Sequence, residues 1–279
     1  MSTLLVTGSS GFIGKNLSDV LYQLGFNVEH LDAEYFGDED WGTTLFNQLN
    51  EIEPDAIFHV GACSNTLESN VQLMMLQNYE STKLMSDWCS CRGRKIIYSS
   101  SAANYGVKGK FPSNLYGWSK YVAEDYVCKS GGVALRYFNV YGPGEEQKGE
   151  MASFLYQANL RHEIGEKVRL FPGGPTRDFV YIKDITSANL YALENFSELS
   201  GHFYDVATAE SRSFEDVLAL AGIGFSYTDE AKIPNGYQFF TRGDPKKWMP
   251  GWRPKYPLER GVDEYLKYLR QDFVTESLR

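Results

Sequence analysis

Tyr116 and Lys120 stand four apart in the run Tyr116-Gly117-Trp118-Ser119-Lys120. On a helix such a pair shares one face. An ammonium beside a phenol favours the phenolate, so a group with an ordinary pKa of about 10 becomes an acid–base near neutrality. The run Ser99-Ser100-Ser101-Ala102-Ala103 precedes the pair and follows an apolar segment, which places Ser101 where it can hydrogen-bond a substrate hydroxyl. The chain has 19 tyrosines, so the Tyr–Lys spacing alone would recur by chance. A serine-rich strand end followed by that spacing is far harder to obtain at random.

A second chemical feature lies near the start. Gly8-Ser9-Ser10-Gly11-Phe12-Ile13-Gly14 follows the apolar run Leu4-Leu5-Val6-Thr7 and opens a helical pattern. Glycines there permit a tight turn and close approach of a pyrophosphate to a helix N-terminus, whose N–H groups and dipole favour negative charge. Asp32 closes the next strand, where a carboxylate accepts from ribose hydroxyls. Together these predict dinucleotide binding. Ala33-Glu34-Tyr35-Phe36-Gly37-Asp38-Glu39-Asp40 follows, without Arg or Lys to meet a 2′-phosphate. NAD is therefore expected, with NADP as the alternative and Lys15 as the nearby cation that would favour it.

The elements that must hold these groups alternate. Strands are expected at 4–7, 27–31, 55–61, 95–99 and 132–137, with helices over 12–24, 71–92 and 115–129. Apolar strands alternating with helices give an α/β fold, a Rossmann-type doubly wound parallel sheet covered on both faces. The second half is punctuated by Gly142-Pro143-Gly144, Phe171-Pro172-Gly173-Gly174-Pro175 and Pro250-Gly251-Trp252. It reads as a smaller substrate lobe that interleaves with the sheet. The expected division is 1–143 plus about 176–207 for the dinucleotide domain, and about 144–175 plus 208–279 for the lobe.

Composition limits the partners. The 279 residues carry 36 acidic and 27 basic side chains, a formal charge of −9. Without a basic block, nucleic acid and anionic membranes are poor partners. Hydrophobic residues make up 43% of the chain, as in a globular protein. Cys63, Cys89, Cys91 and Cys128 form neither a disulfide framework nor a zinc-ligand spacing, so free thiols and no metal are expected. The opening lacks a basic-then-apolar segment, and a cytoplasmic location is expected.

These motifs resemble the extended short-chain dehydrogenase/reductase family of nucleotide-sugar enzymes. The residues that carry the likeness are TGSSGFIG, IFHVGA, SSSAANYG, YGWSK, LRYFNVYGP, RDFVYIKD and GWRPKYPLERGVDEYLKYL. IFHVGACSNT, QKGEMAS, RDFVY and GYQFFTRGD look like the ADP-glycero-manno-heptose 6-epimerases within that family. The resemblance implies Ser101, Tyr116, Lys120 and Lys148 as catalytic residues. It implies Gly8, Gly11, Phe12, Ile13, Gly14, Asp32, Ala33, Asp40, Trp41, Val60, Gly61, Ala62, Ser64, Asn78 and Val140 around the cofactor, with Asp40 and Trp41 near adenine. For the nucleotide-sugar it implies Asn139, Glu150, Gln157, Phe171, Gly173, Gly174, Arg177 and Tyr237, with Ser101 and Lys148 shared. It also implies a homodimer through the helices at 71–92 and 115–129.

The chemistry of an epimerase can be stated from the groups themselves. Inverting a carbinol carbon means removing hydride and proton, turning the carbonyl, and returning hydride to its other face. The proton must be handled on two sides, which Tyr116 and a separate amine, Lys148, would do. Lys148 otherwise reads as a solvated loop lysine, and Arg177 as an ion-pair partner of Asp178 rather than a diphosphate ligand. The dehydratases of the family carry Thr-Asp-Glu where this chain has Ser101-Ala102-Ala103, so the acid and base of elimination are missing. Glu150 and Gln157 depart from the heptose-epimerase pattern. A different 4-epimerase, a reductase of the same family, and a non-catalytic NAD-binding regulator are the alternatives.

Overall fold

The structure, a computed structural model, describes residues 2–107, 109–229, 233 and 238–276, with side chains through Gln271. Tyr237 lies outside the described residues. The first half alternates as its apolar pattern dictates: β1 (Thr3–Thr7), α1 (Phe12–Gln23), β2 (Asn27–Leu31), α2 (Trp41–Ile52), β3 (Ala56–His59), α3 (Val71–Met75), α4 (Ser81–Arg92), β4 (Lys95–Ser101), α5 (Leu115–Lys129) and β5 (Val133–Tyr137). The second half adds β6 (Asn139–Tyr141), α6 (Phe154–Glu163), β7 (Val168–Leu170), β8 (Thr176–Tyr181), α7 (Ile182–Glu194), α8 (Phe196–Leu199), β9 (Phe203–Val206), β10 (Ser211–Ser213), α9 (Phe214–Ala221), β11 (Phe225–Tyr227) and α10 (Leu258–Glu276).

Six parallel strands form the main sheet in the order β2-β1-β3-β4-β5-β9. Leu4 and Val6 of β1 face one core with Phe58, Ile97 and Leu135, under residues of α1 and α7. Leu5 faces the other with Ile57, Ile96 and Tyr98, under α2, α4 and α5. Both faces of the central strands β1, β3, β4 and β5 are therefore buried, which explains runs that are apolar throughout instead of alternating. The chain leaves β1 toward β2, then crosses back to β3 on the other side. That reversal opens a crevice at the carboxyl ends of β1 and β3, where ligands bind in such sheets. The fold is the Rossmann-type α/β arrangement expected from the sequence.

The second half distributes itself between layers. β9 returns to close the main sheet, and α7 packs against α1, β4 and β5. β8 pairs with β6 and β10 in a separate three-stranded sheet, not in the main one. Asp178 in β8 accepts from the amides of Thr208, Ala209 and Gly243, so one buried carboxylate anchors two loops. These bonds satisfy Asp178, whose pairing with Arg177 was the alternative reading of that arginine.

The segment expected as one helix over 71–92 is interrupted. A π turn at Leu76–Glu80 joins α3 to α4. Its extra residue turns Asn78 inward. The Asn78 amide nitrogen donates to the Cys63 carbonyl at 3.0 Å and to Ser119 Oγ at 2.9 Å, and its oxygen accepts from the Cys63 amide at 2.7 Å. A regular 3.6-residue repeat would not present that side chain there, which fits the association of π turns with functional segments.

Candidate active site

The carboxyl ends of β1, β3, β4 and β5 border a cleft of about 710 Å³. Its first wall is the glycine loop. Gly8 has φ +66°, and a Cβ there would lie 2.7 Å from the Gly61 backbone. A Cβ on Gly14, in the first turn of α1, would lie 2.7 Å from the Gly8 carbonyl carbon. Both positions exclude any side chain, because the helix start and two loops converge there. No side chain caps α1 and no acid sits in its first turn, so its N-terminal N–H groups face an anion unopposed. Asp32 accepts from the Ser9 and Ser10 amides at 2.6 and 3.0 Å, which fixes its carboxylate at the rim of the loop.

The third strand is locked by a buried relay. The Gly61 amide donates to Thr7 Oγ1 at 3.0 Å, and Thr7 lies 2.7 Å from His59 Nδ1. His59 Nε2 lies 2.8 Å from Thr82 Oγ1, whose proton goes to the Asn78 carbonyl. With Thr82 donating onward, Nε2 donates; burial keeps the ring neutral, which leaves Nδ1 to accept from the Thr7 hydroxyl and sets one tautomer. Burial, reinforced by the Lys120 charge, pushes His59 down to about 3. This chain of bonds runs from the Val60–Ser64 loop to α4, and through Asn78 and Ser119 to the Tyr116 carbonyl.

The second wall carries the Ser–Tyr–Lys set. Ser101 ends β4, and its Oγ accepts from the Ala103 amide at 3.1 Å. Tyr116 and Lys120 lie in the first turns of α5, which Asn114 caps by accepting from the Gly117 amide. All three residues border the cleft. Burial raises the Tyr116 pKa, while a hydrogen bond from Ser101 opposes the rise. Burial brings the Lys120 ammonium down to about 7, with Glu124 one turn later acting the other way. Lys120 Nζ sits 4.2 Å from the Tyr98 ring centroid, a cation–π contact that helps hold the charge in this apolar setting. Burial thus drives the two proton affinities apart: the phenol holds its proton more tightly than the sequence pairing suggested, while the ammonium releases its own more readily.

The third wall comes from the second half. Lys148 enters from the turn at Glu146–Met151, with Nζ 5.4 Å from the Phe12 ring centroid. Burial lowers its pKa, opposed by Glu145. Gln147 donates to the Ser10 carbonyl at 2.8 Å, tying this turn to the glycine loop. Among the described residues that border the cleft, Asp32, Lys120 and Lys148 carry the formal charges, so the lining is net positive in a chain of −9.

The cleft gathers many of the sequence candidates: Gly8, Gly11, Phe12, Ile13, Gly14, Asp32, Ala33, Val60, Gly61, Ala62, Ser64, Ser101, Tyr116, Lys120, Asn139, Val140 and Lys148. Others lie elsewhere. Asp40 caps α2, accepting from the Thr43 amide, and Trp41 packs on Phe36 and borders a separate 350 Å³ recess between α2 and α4. Asn78 acts behind the lining, as the bracket described above. Glu150 is exposed and outside the cleft, and Gln157 donates to the Gly149 carbonyl. Arg177 Nη1 donates to the Thr176 carbonyl, and its guanidinium lies 5.5 Å from the Phe214 ring, behind the lining. Phe171, Gly173 and Gly174 lie beyond it as well. Lys15 is exposed and not part of it.

Tyr35, Phe36, Phe138, Phe154, Phe179 and Phe214 also line the cleft and were not singled out in the sequence. Tyr35 and Phe36 stand three and four residues after Asp32, and an aromatic pair close to the ribose-binding acid was a signal available for an adenine wall. The other four phenylalanines come from distant parts of the chain, and only the fold brings them together.

The arrangement fits a dinucleotide. Close packing at Gly8 and Gly14 sets the loop against the start of α1, the uncapped α1 start complements phosphate charge, and Asp32 stands where a ribose would lie. Comparison with known proteins agrees. Residues 4–207 match the NAD dependent epimerase/dehydratase family. The chain is similar to ADP-L-glycero-D-manno-heptose-6-epimerase of Helicobacter pylori, with 27% identity, a TM-score of 0.82 and 96% of each chain covered. It is similar to UDP-glucose 4-epimerase of Thermus thermophilus, solved with NAD, with 26% identity, a TM-score of 0.80, and 96% of this chain and 99% of that one covered. UDP-glucose 4-epimerase of Thermotoga maritima, solved with UDP-glucose, shares the fold at a TM-score of 0.84 and 24% identity over 97% of this chain and 99% of that one. On the glycine cradle, the Ser–Tyr–Lys wall and these likenesses, the chain belongs to the NAD dependent epimerase/dehydratase family, with NAD as its cofactor.

Proposed function

We propose that the chain is a nucleotide-sugar epimerase that inverts one carbinol carbon, acting on an ADP-glycero-manno-heptose or a close analogue. The observation that carries the reading is the meeting, in one cleft, of the Tyr116–Lys120 pair, Lys148 from a different wall, and the dinucleotide cradle. Gly8, Gly11, Phe12, Ile13, Gly14 and Asp32 would hold NAD, with Val60–Ser64 and Val140 beside it. Bound NAD supplies the hydride acceptor and, once reduced, the donor.

The protein's own groups do the rest. Ser101 orients the substrate hydroxyl, and Tyr116 takes its proton as the carbonyl forms. Lys120 holds the phenolate by its charge. The sugar carbonyl then turns within the cleft, and Lys148 handles the proton when the other face is presented. Because the oxidised and reduced sugars stay bound, no net redox change accumulates. Elimination finds no support, since Ala102 and Ala103 follow Ser101 and Asp32 is the one carboxylate among the described lining residues. A UDP-hexose 4-epimerase is the second reading, favoured by the likeness to the Thermus enzyme at nearly the same identity. A homodimer through the segment 71–92, which spans α3 and α4, and through α5 belongs to the proposal and is tested by sedimentation.

The deciding experiment offers ADP-, GDP- and UDP-sugars to the NAD-loaded protein. Each product's configuration is read by NMR, and the cofactor's redox state by absorbance. Inversion with constant cofactor supports an epimerase, whereas stoichiometric cofactor consumption marks a reductase and overturns it.

A further inference from the structure

Glu124 lies one helical turn beyond Lys120 on the buried face of α5 and is 3% exposed. Residues four apart on a helix are side-chain neighbours. Its carboxylate is fully engaged. Ser100 Oγ donates to Oε2 at 2.6 Å, Asn104 Nδ2 to Oε2 at 3.0 Å, and Arg136 Nε to Oε2 at 2.7 Å, while Arg136 Nη2 pairs with Oε1. Asn104 also donates to Ser100 Oγ at 3.0 Å. The Arg136 guanidinium is itself held between the Phe203 and Tyr105 rings, at 3.7 and 4.5 Å from their centroids. An acid this buried is costly unless paired, and this one is paired and hydrogen-bonded on both oxygens. Its partners come from the residue next to Ser101, from the turn after β4, and from β5. The network thus joins the strand end that carries Ser101 to the helix that carries Tyr116 and Lys120.

We propose that Glu124 is a positioning residue for the reaction: pinned by Arg136, Ser100 and Asn104, its carboxylate keeps the Lys120 ammonium charged beside Tyr116 and fixes the Ser101 strand end against the Tyr–Lys helix. This rests on the role of the Tyr–Lys pair proposed above. The other groups around Lys120 do not supply that charge. β3 contributes His59, neutral in the relay described. β4 contributes the Tyr98 ring, whose phenol burial keeps protonated. The loop after β3 contributes Cys63, which acts on Tyr116. Arg136 on β5 faces Glu124. Glu124 is the group whose negative charge favours the ammonium.

The test is the pH profile of turnover for the NAD-loaded protein, using whichever sugar nucleotide the panel identifies. Loss of the ammonium sets the alkaline limb, so removing the nearby negative charge must move that limb down. In Glu124→Gln it shifts to lower pH by about one unit, with KM little changed. Glu124→Asp, which keeps the charge, restores the limb. Should Glu124→Gln fail to fold because Arg136 is stranded, the double variant Glu124→Gln/Arg136→Met removes both charges together, and the limb moves the same way by a smaller amount, because the nearer carboxylate outweighs the guanidinium at Lys120. Activity that falls evenly at every pH with the limb in place shows a structural role alone and overturns the proposal. An active Tyr116→Phe overturns the Tyr–Lys reading instead; an inactive Tyr116→Phe with an unmoved limb refutes only the role of Glu124.

Discussion

Gly14→Ala is the sharpest local perturbation of the cofactor cradle. The backbone of Gly14 is ordinary helix, so the effect of a methyl group is steric and not conformational. Its Cβ would overlap the Gly8 carbonyl oxygen and sit 2.7 Å from the carbonyl carbon, against 3.4 Å for ordinary contact, so the backbone must move by more than about 0.7 Å. The neighbour is main chain in a loop already pinned by Asp32 and Gly61, and it cannot rotate away. Overpacking of this kind costs about 1–3 kcal/mol of stability. The same shift lengthens the hydrogen bonds that the α1 N-terminus makes to a pyrophosphate. Two such charge-assisted bonds at about 1.5 kcal/mol each correspond to roughly a hundredfold loss in NAD affinity. Calorimetric titration with NAD, beside thermal melting of the unliganded protein, reads both effects. Gly42→Ala is the control: its nearest neighbour would be Leu84 Cδ1 at 3.8 Å, so NAD affinity should stay put and stability should hold or rise slightly. If Gly14→Ala binds NAD as the parent does and melts at the same temperature, the cradle is not what holds the phosphates.

Other expectations concern the rest of the site. Tyr116→Phe should lower turnover by at least about a thousandfold while NAD binding, read by the same titration, is retained. Lys148→Ala should likewise spare NAD affinity yet block inversion, and near-parental epimerisation would remove Lys148 from the mechanism. His59 is held neutral when folded, with its pKa depressed to about 3, whereas the unfolded side chain protonates at about 6.5. Its contribution is therefore full above pH 6.5 and is lost as pH falls toward 3, by about 5 kcal/mol in all. His59→Asn should be less stable at pH 7 but show a shallower acid slope in urea melts; parallel slopes would contradict the buried neutral relay. Arg136→Ala should cost about 3–5 kcal/mol in the same melts, because it leaves Glu124 charged and buried, whereas Lys183→Ala, at an exposed pair with Glu264, should cost under about 1 kcal/mol.

What the sequence made legible was local. The glycine loop, the Tyr116–Lys120 spacing and the apolar strands are short-range patterns whose physics acts within a few residues, and the helix over Leu115–Lys129 falls where its periodicity puts it. Features set by long-range packing were not legible. The π turn at Leu76–Glu80 follows from the need to aim Asn78 at Cys63, a residue distant in sequence. The aromatic wall of Phe138, Phe154, Phe179 and Phe214 draws one ring from each of several elements. Asp40 is a helix cap because Thr43 offers its amide there, a reading open to the sequence that the expected adenine contact displaced. Arg177, matched to a diphosphate position by the family resemblance, lies with its guanidinium 5.5 Å from the Phe214 ring, a contact between distant elements that the sequence alone does not show. The small set of cleft charges reconciles the acidic chain with a doubly anionic ligand, since Lys120 and Lys148 outnumber Asp32 where it matters.

The most direct test of the central claim uses a sugar nucleotide deuterated at the carbinol carbon to be inverted. Transient oxidation followed by return of the same hydride inside one cleft predicts an inverted product that keeps its deuterium, with no net change in the cofactor. Exchange of the label for solvent hydrogen, or product formed one-for-one with reduced cofactor, would contradict it.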